Sequence, residues 1–432
     1  MKLSTQIKIN AIKLVDKIND IFYYYGPQPL MTVEVSNTED RLSELELNFY
    51  NKIKNSIDPE GRFEYGYEIA DAYSYNKWRT IRGDQCLEQW RLIAALALRL
   101  ATNSSSVNED EKLLEELIIY GCMLVTVDGR IMRGTSRYYR DVNINYTSSW
   151  LEDIYKFDAK NPSGDQLSGI IYGASIIKFL ERNKFLNTNF YDKYILDAII
   201  RLYASMRFNE MQLFDVYGNK SKGEFPYFSI KSINGQATSI LALTFLVEDE
   251  NFYKFLIDKY DYDIISQYSE VHLLGWNNWF GATICAMGLV SIHLNIKDSK
   301  FLFAAKGLER IAYNTRDWGH AFYSLLSDIA HCRLPDKARV LSWLVSYDTL
   351  VVPEPIKKGR TWFFKLYQTA KPKRCRQDSE FLIQREMFFN LPNDEVQGTY
   401  PNHAWNLYFN RSDFLTEYWL WKFAIKIYYN NR

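Results

Sequence analysis

The segment SGDQLSGIIYGASIIKFL, residues 163–180, contains the clearest indication of the fold. Apolar residues point in almost every direction around a helix drawn through it, and such a helix is expected to be enclosed by others. The small residues Gly169, Gly173, Ala174 and Ser175 would let those neighbouring helices approach closely. The segment therefore predicts an inner helix of an all-α protein.

A pair made of an amphipathic helix and a more apolar helix recurs about six times along the chain. The predicted pairs are 44–56 with 84–101, 109–122 with 165–181, 190–206 with 235–247, 251–259 with 277–294, 299–313 with 320–332, and 337–346 with 412–428. One-faced amphipathic helices are typical of an outer layer, and helices that are apolar all round are typical of an inner one. The pattern predicts an (α/α)6 toroid, a double ring of six helical hairpins. We place this domain at residues 44–432, after an N-terminal helical extension at 1–43.

The links between these helices differ in length in a regular way. Links from an inner helix to the next outer helix are short, but several outer-to-inner links are much longer than is usual between helices. The long links are 57–83, 123–164, 207–234 and 347–411. In a ring of hairpins, they all emerge at the N-termini of the inner helices. We therefore expect one functional cleft on that face, with small β-hairpins around 124–132 and 213–219.

Composition narrows the class of function. Of the 432 residues, 52 are basic and 52 are acidic, so no net charge attracts the chain to nucleic acid or to an anionic membrane. No apolar run reaches the roughly 20 residues that cross a bilayer, and the N-terminus reads as an amphipathic helix rather than as a signal peptide. We expect a soluble protein, cytoplasmic or otherwise without a classical signal peptide, with neither a nucleic-acid nor a membrane partner. The oligomeric state stays open.

The spacing of the cysteines and the absence of nucleotide-binding motifs argue against a bound metal ion or cofactor. Five cysteines at wide and irregular spacing predict reduced, buried thiols rather than disulfides or a metal site. His331-Cys332 falls at the far end of its predicted helix and lacks spaced partners. Neither a phosphate-binding loop nor a dinucleotide fingerprint is present. We expect no cofactor and no metal ion.

The first residues of the inner helices are similar to one another. Two of these helices open with Gly83-Asp84-Gln85 and Gly164-Asp165-Gln166, and a third opens with Gly235-Gln236-Ala237-Thr238. With Trp318-Gly319-His320 before the fifth inner helix, these openings resemble the six-hairpin glycosidase-like (α/α)6 families. Those families include glycoside hydrolases, unsaturated glucuronyl hydrolases and polysaccharide lyases. The resemblance covers the architecture from about residue 44 and implies a carbohydrate substrate.

The candidate catalytic residues depend on the reaction. A glycoside hydrolase needs two carboxyl groups on either side of the sugar linkage, and we favour Asp84 and Asp165, followed by Glu224. Either aspartate also suits a plain helix cap, because Asp is common at a helix start. A polysaccharide lyase, the first alternative, needs a Tyr or His base and a cation for the uronate. A non-catalytic carbohydrate-binding or assembly protein is the other alternative.

The candidate substrate-binding residues are mainly aromatic and basic. Aromatic residues make up 16% of the chain, and many tryptophans fall in the long links or at inner-helix starts. Aromatic faces stack on sugar rings, although packing between loops and helices is a competing explanation. For substrate binding we predict Trp78, Arg82, Arg137, Tyr138, Trp150, Trp276, Trp279, Trp318, His320 and His403. In a lyase, the residues that would matter more than the aspartates are His320, His403, Tyr138, Tyr139, Arg137 and Arg82.

Overall fold

The computed structural model describes most of the helical body of the chain. The described residues are 35–55, 57, 61, 66–68, 78–80, 85–103, 107–132, 134–137, 155–158, 162, 164–214, 236–260, 279–296, 302–314, 321–349 and 411–431, with positions 3, 6, 7, 9–11, 13 and 14 near the N-terminus. Helices account for 82% of them, which confirms the all-α prediction at that level. Within this part of the chain, no helix is both long enough and apolar enough to cross a bilayer.

Between residues 35 and 430, the described ranges contain twelve α-helices. They are α1 (Val35–Lys54), α2 (Gln85–Thr102), α3 (Val107–Met123), α4 (Gly164–Arg182), α5 (Leu196–Phe208), α6 (Gln236–Leu246), α7 (Glu250–Tyr260), α8 (Trp279–Asn295), α9 (Leu302–Asn314), α10 (Phe322–Ala330), α11 (Lys337–Thr349) and α12 (Arg411–Asn430). A π-helical turn, Tyr191–Ile195, leads directly into α5. Apart from α1, which starts at Val35 instead of 44, the helices match the predicted ranges closely. Helix α1 therefore runs across the proposed domain boundary at 43.

The even-numbered helices contact one another in a cyclic order. Helix α2 packs against α4, α4 against α6, α6 against α8, α8 against α10, α10 against α12, and α12 against α2. Among the odd-numbered helices, α3 packs on α2, α7 on α6, α9 on both α8 and α10, and α1 and α11 on α12. Helix α4 also contacts α8 directly. The even-numbered helices therefore enclose little open space where α4 and α8 meet.

Close approach between α2 and α4 depends on glycine. A Cβ atom at Gly169 would lie 2.8 Å from the Leu87 Cα, and one at Gly173 would lie 2.7 Å from the Trp90 ring. Both distances are shorter than real Cβ contacts, so a larger residue would push the helices apart. The prediction that small residues permit close packing is confirmed at these two positions. Residues 164–177 of α4 are all buried, as its apolar composition predicted.

Cationic side chains cap the C-terminal ends of three even-numbered helices. Arg182 donates to the Leu294 carbonyl of α8 at 2.6 Å, and Lys178 donates to the Leu246 carbonyl of α6 at 3.0 Å. Lys426 donates to the Ala101 carbonyl of α2 at 2.5 Å. These bonds satisfy carbonyl groups that a helix leaves unpaired, and the positive charges complement the helix dipoles. The C-terminal ends of α2, α6 and α8 are thus closed by structural contacts.

Short antiparallel strands lie in two of the long outer-to-inner links. Strand β1 (Gly66–Glu68) pairs with β2 (Trp78–Thr80) before α2, and β3 (Gly134–Arg137) pairs with β4 (Tyr155–Asp158) before α4. The hairpin predicted at 124–132 is instead a tight turn closed by a single bridge between Val125 and Ile131. Gly129 has φ +77° in this turn and lies against the backbone of α5 at Arg201. Most of the turn predicted at 213–219 lies outside the described residues.

Candidate functional site

Asp165 is the one predicted catalytic residue whose side chain the structure describes. It is 6% exposed and lies in the first turn of α4. Trp78 and Arg137 are placed in β2 and β3, and Trp279 is the first residue of α8, in each case without a described side chain. The remaining predicted site residues lie outside the described ranges: Asp84, Glu224, Arg82, Tyr138, Trp150, Trp276, Trp318, His320 and His403. The pairing of Asp165 with Asp84 therefore stays a prediction.

Buried polar side chains accumulate near the N-termini of the even-numbered helices. Besides Asp165, they include Glu88, Gln89 and Arg91 of α2, Gln166 and Ser168 of α4, Thr238 and Ser239 of α6, Thr283 of α8, and Thr416 and Glu417 of α12. Burying a charged or polar group is costly unless it is paired. Their position at the predicted mouth makes this end of the helices the candidate site.

Four side chains from α2, α4 and α10 meet there, and we call them the Arg91 cluster. Arg91 donates from Nη1 to Glu88 Oε1 at 2.8 Å, with the two side chains 3% and 0% exposed. The Arg91 guanidinium carbon is 5.9 Å from the centre of the Phe322 ring. The Tyr172 ring packs edge-on against Phe322, with their centres 6.2 Å apart. Glu88, Arg91, Tyr172 and Phe322 thus bring three helices together around one buried ion pair.

Tyr172 differs from the other three members of the cluster. Its side chain is fully buried, and among the described residues its hydroxyl has no hydrogen-bond partner. Burial raises the pKa of this phenol, and the nearby charge of Arg91 opposes that shift. At neutral pH, Tyr172 therefore presents a neutral hydroxyl that can both donate and accept a hydrogen bond.

Polar contacts extend the cluster to α8 and α12. The Ala321 backbone N–H, next to Phe322, donates to Glu417 Oε2 of α12 at 3.2 Å. The hydroxyls of Thr283 on α8 and Tyr323 on α10 are 2.8 Å apart. Glu417 thus pairs a backbone N–H group at the start of α10, where helices leave such groups free. Five of the six even-numbered helices contribute to this set of contacts.

Sequence reasoning missed Glu88, Arg91, Tyr172 and Glu417. The available signal was the presence of ionisable residues inside helices that are otherwise apolar all round, because such residues must be buried. Glu88 and Arg91 stand in the text QCLEQWRLIAALAL, and Glu417 stands in FLTEYWLWKF. The contacts of Arg91 with Phe322 join residues far apart in the chain, so no local pattern indicates them.

A second set of titratable groups lies at the opposite end of α8 and α10. Burial lowers the pKa of His293 to about 4 and raises the pKa of Asp328 to about 6, the latter against the opposing charges of Arg333 and Arg339. His331 Nδ1 is 2.9 Å from the Ser327 carbonyl oxygen. Within the described ranges, no group of three or more His, Cys, Asp or Glu side chains could hold a metal ion.

We predict that His293 and Asp328 make opposite contributions to the pH dependence of stability. Asp328 titrates near pH 6 when folded and near 3.8 when unfolded, so its contribution is lost as pH rises through that window. His293 titrates near 4 when folded and near 6.5 when unfolded, so its contribution is lost as pH falls through that range. Asp328→Asn should make the free energy of unfolding rise more steeply with pH than in the wild type. His293→Gln should make it rise less steeply, or fall.

Urea denaturation at several pH values between about 4 and 7 measures both slopes, since the stability change follows the protons bound by each state. Curves for the two variants that run parallel to the wild-type curve would contradict the assignment.

Comparisons with known proteins find no protein that is similar to this chain. A scan against protein-family models finds no match, and searches of curated proteins and of solved structures find no similar chain. The relation to the six-hairpin glycosidase-like families therefore stays a prediction from the helix openings.

Proposed function

We propose that this protein is an (α/α)6 toroid that hydrolyses a glycosidic bond at the N-terminal end of its inner, even-numbered helices. Support for the toroid comes from the cyclic order of contacts among those helices. Support for the position of the site comes from the buried charged residues in their first two turns. The structural caps at the C-terminal ends of α2, α6 and α8 leave the N-terminal end as the face available for chemistry.

The main observation behind the mechanism is the placement of Asp165. Residues 165 and 169 lie on one face of α4 because they are four apart, and Gly169 packs against Leu87 near the start of α2. Asp165, one turn earlier, is therefore on the side of α4 that faces α2. Asp84 immediately precedes α2 in the sequence. We propose that one of these carboxyl groups acts as general acid and the other as base or nucleophile, with Glu224 as the alternative partner.

The side chains of the Arg91 cluster do not themselves suit elimination. A lyase needs a basic side chain and a cation that neutralises the uronate. Burial raises the pKa of Tyr172, which disfavours the phenolate, and Glu88 already compensates the charge of Arg91. Glu417 supports a second candidate function, that of a non-catalytic binding protein. Its carboxylate accepts a hydrogen bond from the Ala321 N–H and so serves the structure rather than a reaction.

One experiment separates these three functions. The protein is incubated with a panel of neutral and acidic polysaccharides in water labelled with heavy oxygen, and the products are analysed by mass spectrometry. Hydrolysis places the label in a new reducing end, whereas elimination gives an unlabelled product that absorbs ultraviolet light. Binding without a product would support the non-catalytic candidate and overturn the proposed hydrolysis.

A further inference from the structure

The long link between α1 and α2 is fastened near its beginning to two helices. The Gln89 side chain, fully buried one turn after the start of α2, donates from Nε2 to the Gly61 carbonyl at 2.9 Å. The same Nε2 atom donates to the Leu117 carbonyl of α3 at 3.0 Å. An amide nitrogen carries two hydrogens, so each carbonyl can receive one of them. Gln89 therefore joins the link to both α2 and α3.

Gly61 is suited to this contact by its lack of a side chain. It is buried, and its φ of +82° is a conformation that glycine adopts far more readily than other residues. A Cβ atom at this position would lie 2.2 Å from the Glu116 carbonyl oxygen of α3, which is closer than real atoms approach. That oxygen belongs to the backbone and cannot rotate away. A side chain at position 61 would therefore push the link off α3.

The β1–β2 hairpin is attached to α2 on both sides. Four residues connect Gly61 to β1, and four connect β2 to Gln85, the first residue of α2. Gly66 pairs with Thr80, so both connections start from the same end of the hairpin. Each connection spans at most roughly 18 Å, even when fully extended. Because both attachment points lie in the first turns of α2, the hairpin is tied to the candidate site at the N-terminal end of that helix.

Loss of the Gln89 contact would leave one of these short connections. On the α1 side, the next described residue that packs against the core is Ile57. The connection to β1 would then lengthen from four residues to the eight of 58–65. A longer connection gives the hairpin more conformations, and restricting them again costs entropy. The Gln89–Gly61 bond thus limits the positions that the hairpin can occupy.

We propose that Gln89 is a positioning residue that fixes the β1–β2 hairpin at the candidate site. Two predicted substrate-binding residues belong to this part of the link: Trp78 is the first residue of β2, and Arg82 follows that strand by two residues. Their role in binding a sugar rests on the proposed function, whereas the attachment of the hairpin does not. Gln89 itself contacts no substrate and acts only through the hairpin.

Limited digestion with trypsin tests the attachment without any substrate. Gln89→Leu removes both hydrogen bonds and keeps a similar volume. We expect cleavage of the hairpin region to rise roughly 10-fold, the change expected when a closed state loses one to two hydrogen bonds. The trypsin sites in this region are Lys77, Arg79 and Arg82. Cleavage at Lys220, Lys222 and Lys231, in the link between α5 and α6, is the reference within the same digest.

Two glycine variants separate this effect from general loss of stability. Gly61→Ala should raise cleavage of the hairpin region as Gln89→Leu does, because it displaces the same attachment point. Gly129→Ala is the matched control: Gly129 has φ +77°, and a Cβ atom there would lie 2.0 Å from the Arg201 carbonyl oxygen. This variant introduces similar strain in the turn against α5. It should lower the melting temperature and leave cleavage of the hairpin region unchanged.

Kinetics test the consequence for the substrate. With the polysaccharide that the labelled-water screen identifies, Gln89→Leu should raise KM roughly 10-fold and change kcat by much less, as expected for lost binding that is equal in the ground and transition states. A purely structural Gln89 predicts a smaller amount of active protein with an unchanged KM.

Unchanged cleavage of the hairpin region in Gln89→Leu, or an equal rise in Gly129→Ala, would overturn the proposed attachment. A rise in cleavage with an unchanged KM would overturn the role of the hairpin in substrate binding. Failure of the proposed function is distinguishable from both. If the wild type cleaves no polysaccharide, the hydrolysis is wrong, and the digestion still decides whether Gln89 fixes the hairpin.

Discussion

Replacing Arg99 by methionine is expected to lower the free energy of unfolding by about 3–5 kcal/mol, the usual cost of breaking a buried ion pair. The Arg99 Nε donates to Glu46 Oε1 at 3.0 Å, and its Nη1 pairs with Asp110. All three side chains are less than one tenth exposed. Methionine fills a similar volume but leaves two carboxylates buried without their cation.

The position of Arg99 makes the loss global rather than local. Glu46 lies on α1, Arg99 on α2 and Asp110 on α3, while Trp419 of α12 donates to Glu46 Oε1 at 3.0 Å. The Arg99 guanidinium also lies 3.9 Å from the centre of the Tyr50 ring on α1. This network joins the first described long helix to the last one. Its loss should weaken the packing of α12 on α1 and α2.

Urea denaturation followed by circular dichroism measures the effect. Lys54→Met is the control, because the Lys54–Glu109 pair is largely exposed and such pairs contribute little to stability. Arg99→Lys keeps the charge without the planar fork and should fall between the other two. A loss in Arg99→Met no larger than that in Lys54→Met would show that the buried carboxylates find other partners.

The helices could be predicted because their signal is local. A helix such as α4 is buried on all sides, so apolar and small residues fill it regardless of which helices surround it. The start of α1 was predicted at 44 because residues 35–43 are mostly polar. In the structure Thr38 and Leu42 are buried, and α1 contacts both α11 and α12. Tertiary packing thus extends a helix that periodicity alone would end.

The long links were harder to predict because their pairing is not local. The Asp128-Gly129 turn was placed correctly, but its flanking residues form one bridge rather than strands. Strand β3 pairs instead with β4, and a long stretch of chain separates the two. Most predicted site residues fall in such links. The residues that the structure adds to the candidate site lie inside helices, and the contacts of Arg91 with Phe322 and of Glu417 with Ala321 join residues far apart in the chain.

Asp165→Asn is expected to reduce hydrolysis about 10²–10⁴-fold, the range for removing a general acid or base. Asparagine has the same size but lacks the charge, so an Asp165 that only stabilises the first turn of α4 predicts unchanged turnover of the folded protein and a small loss of stability. A catalytic carboxyl group predicts a large loss of turnover with an unchanged melting temperature, because the amide cannot transfer the proton.

The matched control for this variant is Asp249→Asn. Asp249 Oδ1 accepts a hydrogen bond from the Phe252 N–H at 2.9 Å and so caps the outer helix α7, away from the N-terminal ends of the even-numbered helices. Turnover of whichever polysaccharide the labelled-water screen identifies is compared between the two variants at equal concentrations of folded protein. We expect Asp249→Asn to match the wild type and Asp165→Asn to be nearly inactive. Equal turnover in both variants would assign Asp165 a structural role alone and would move the search for the carboxyl pair to Asp84 and Glu224.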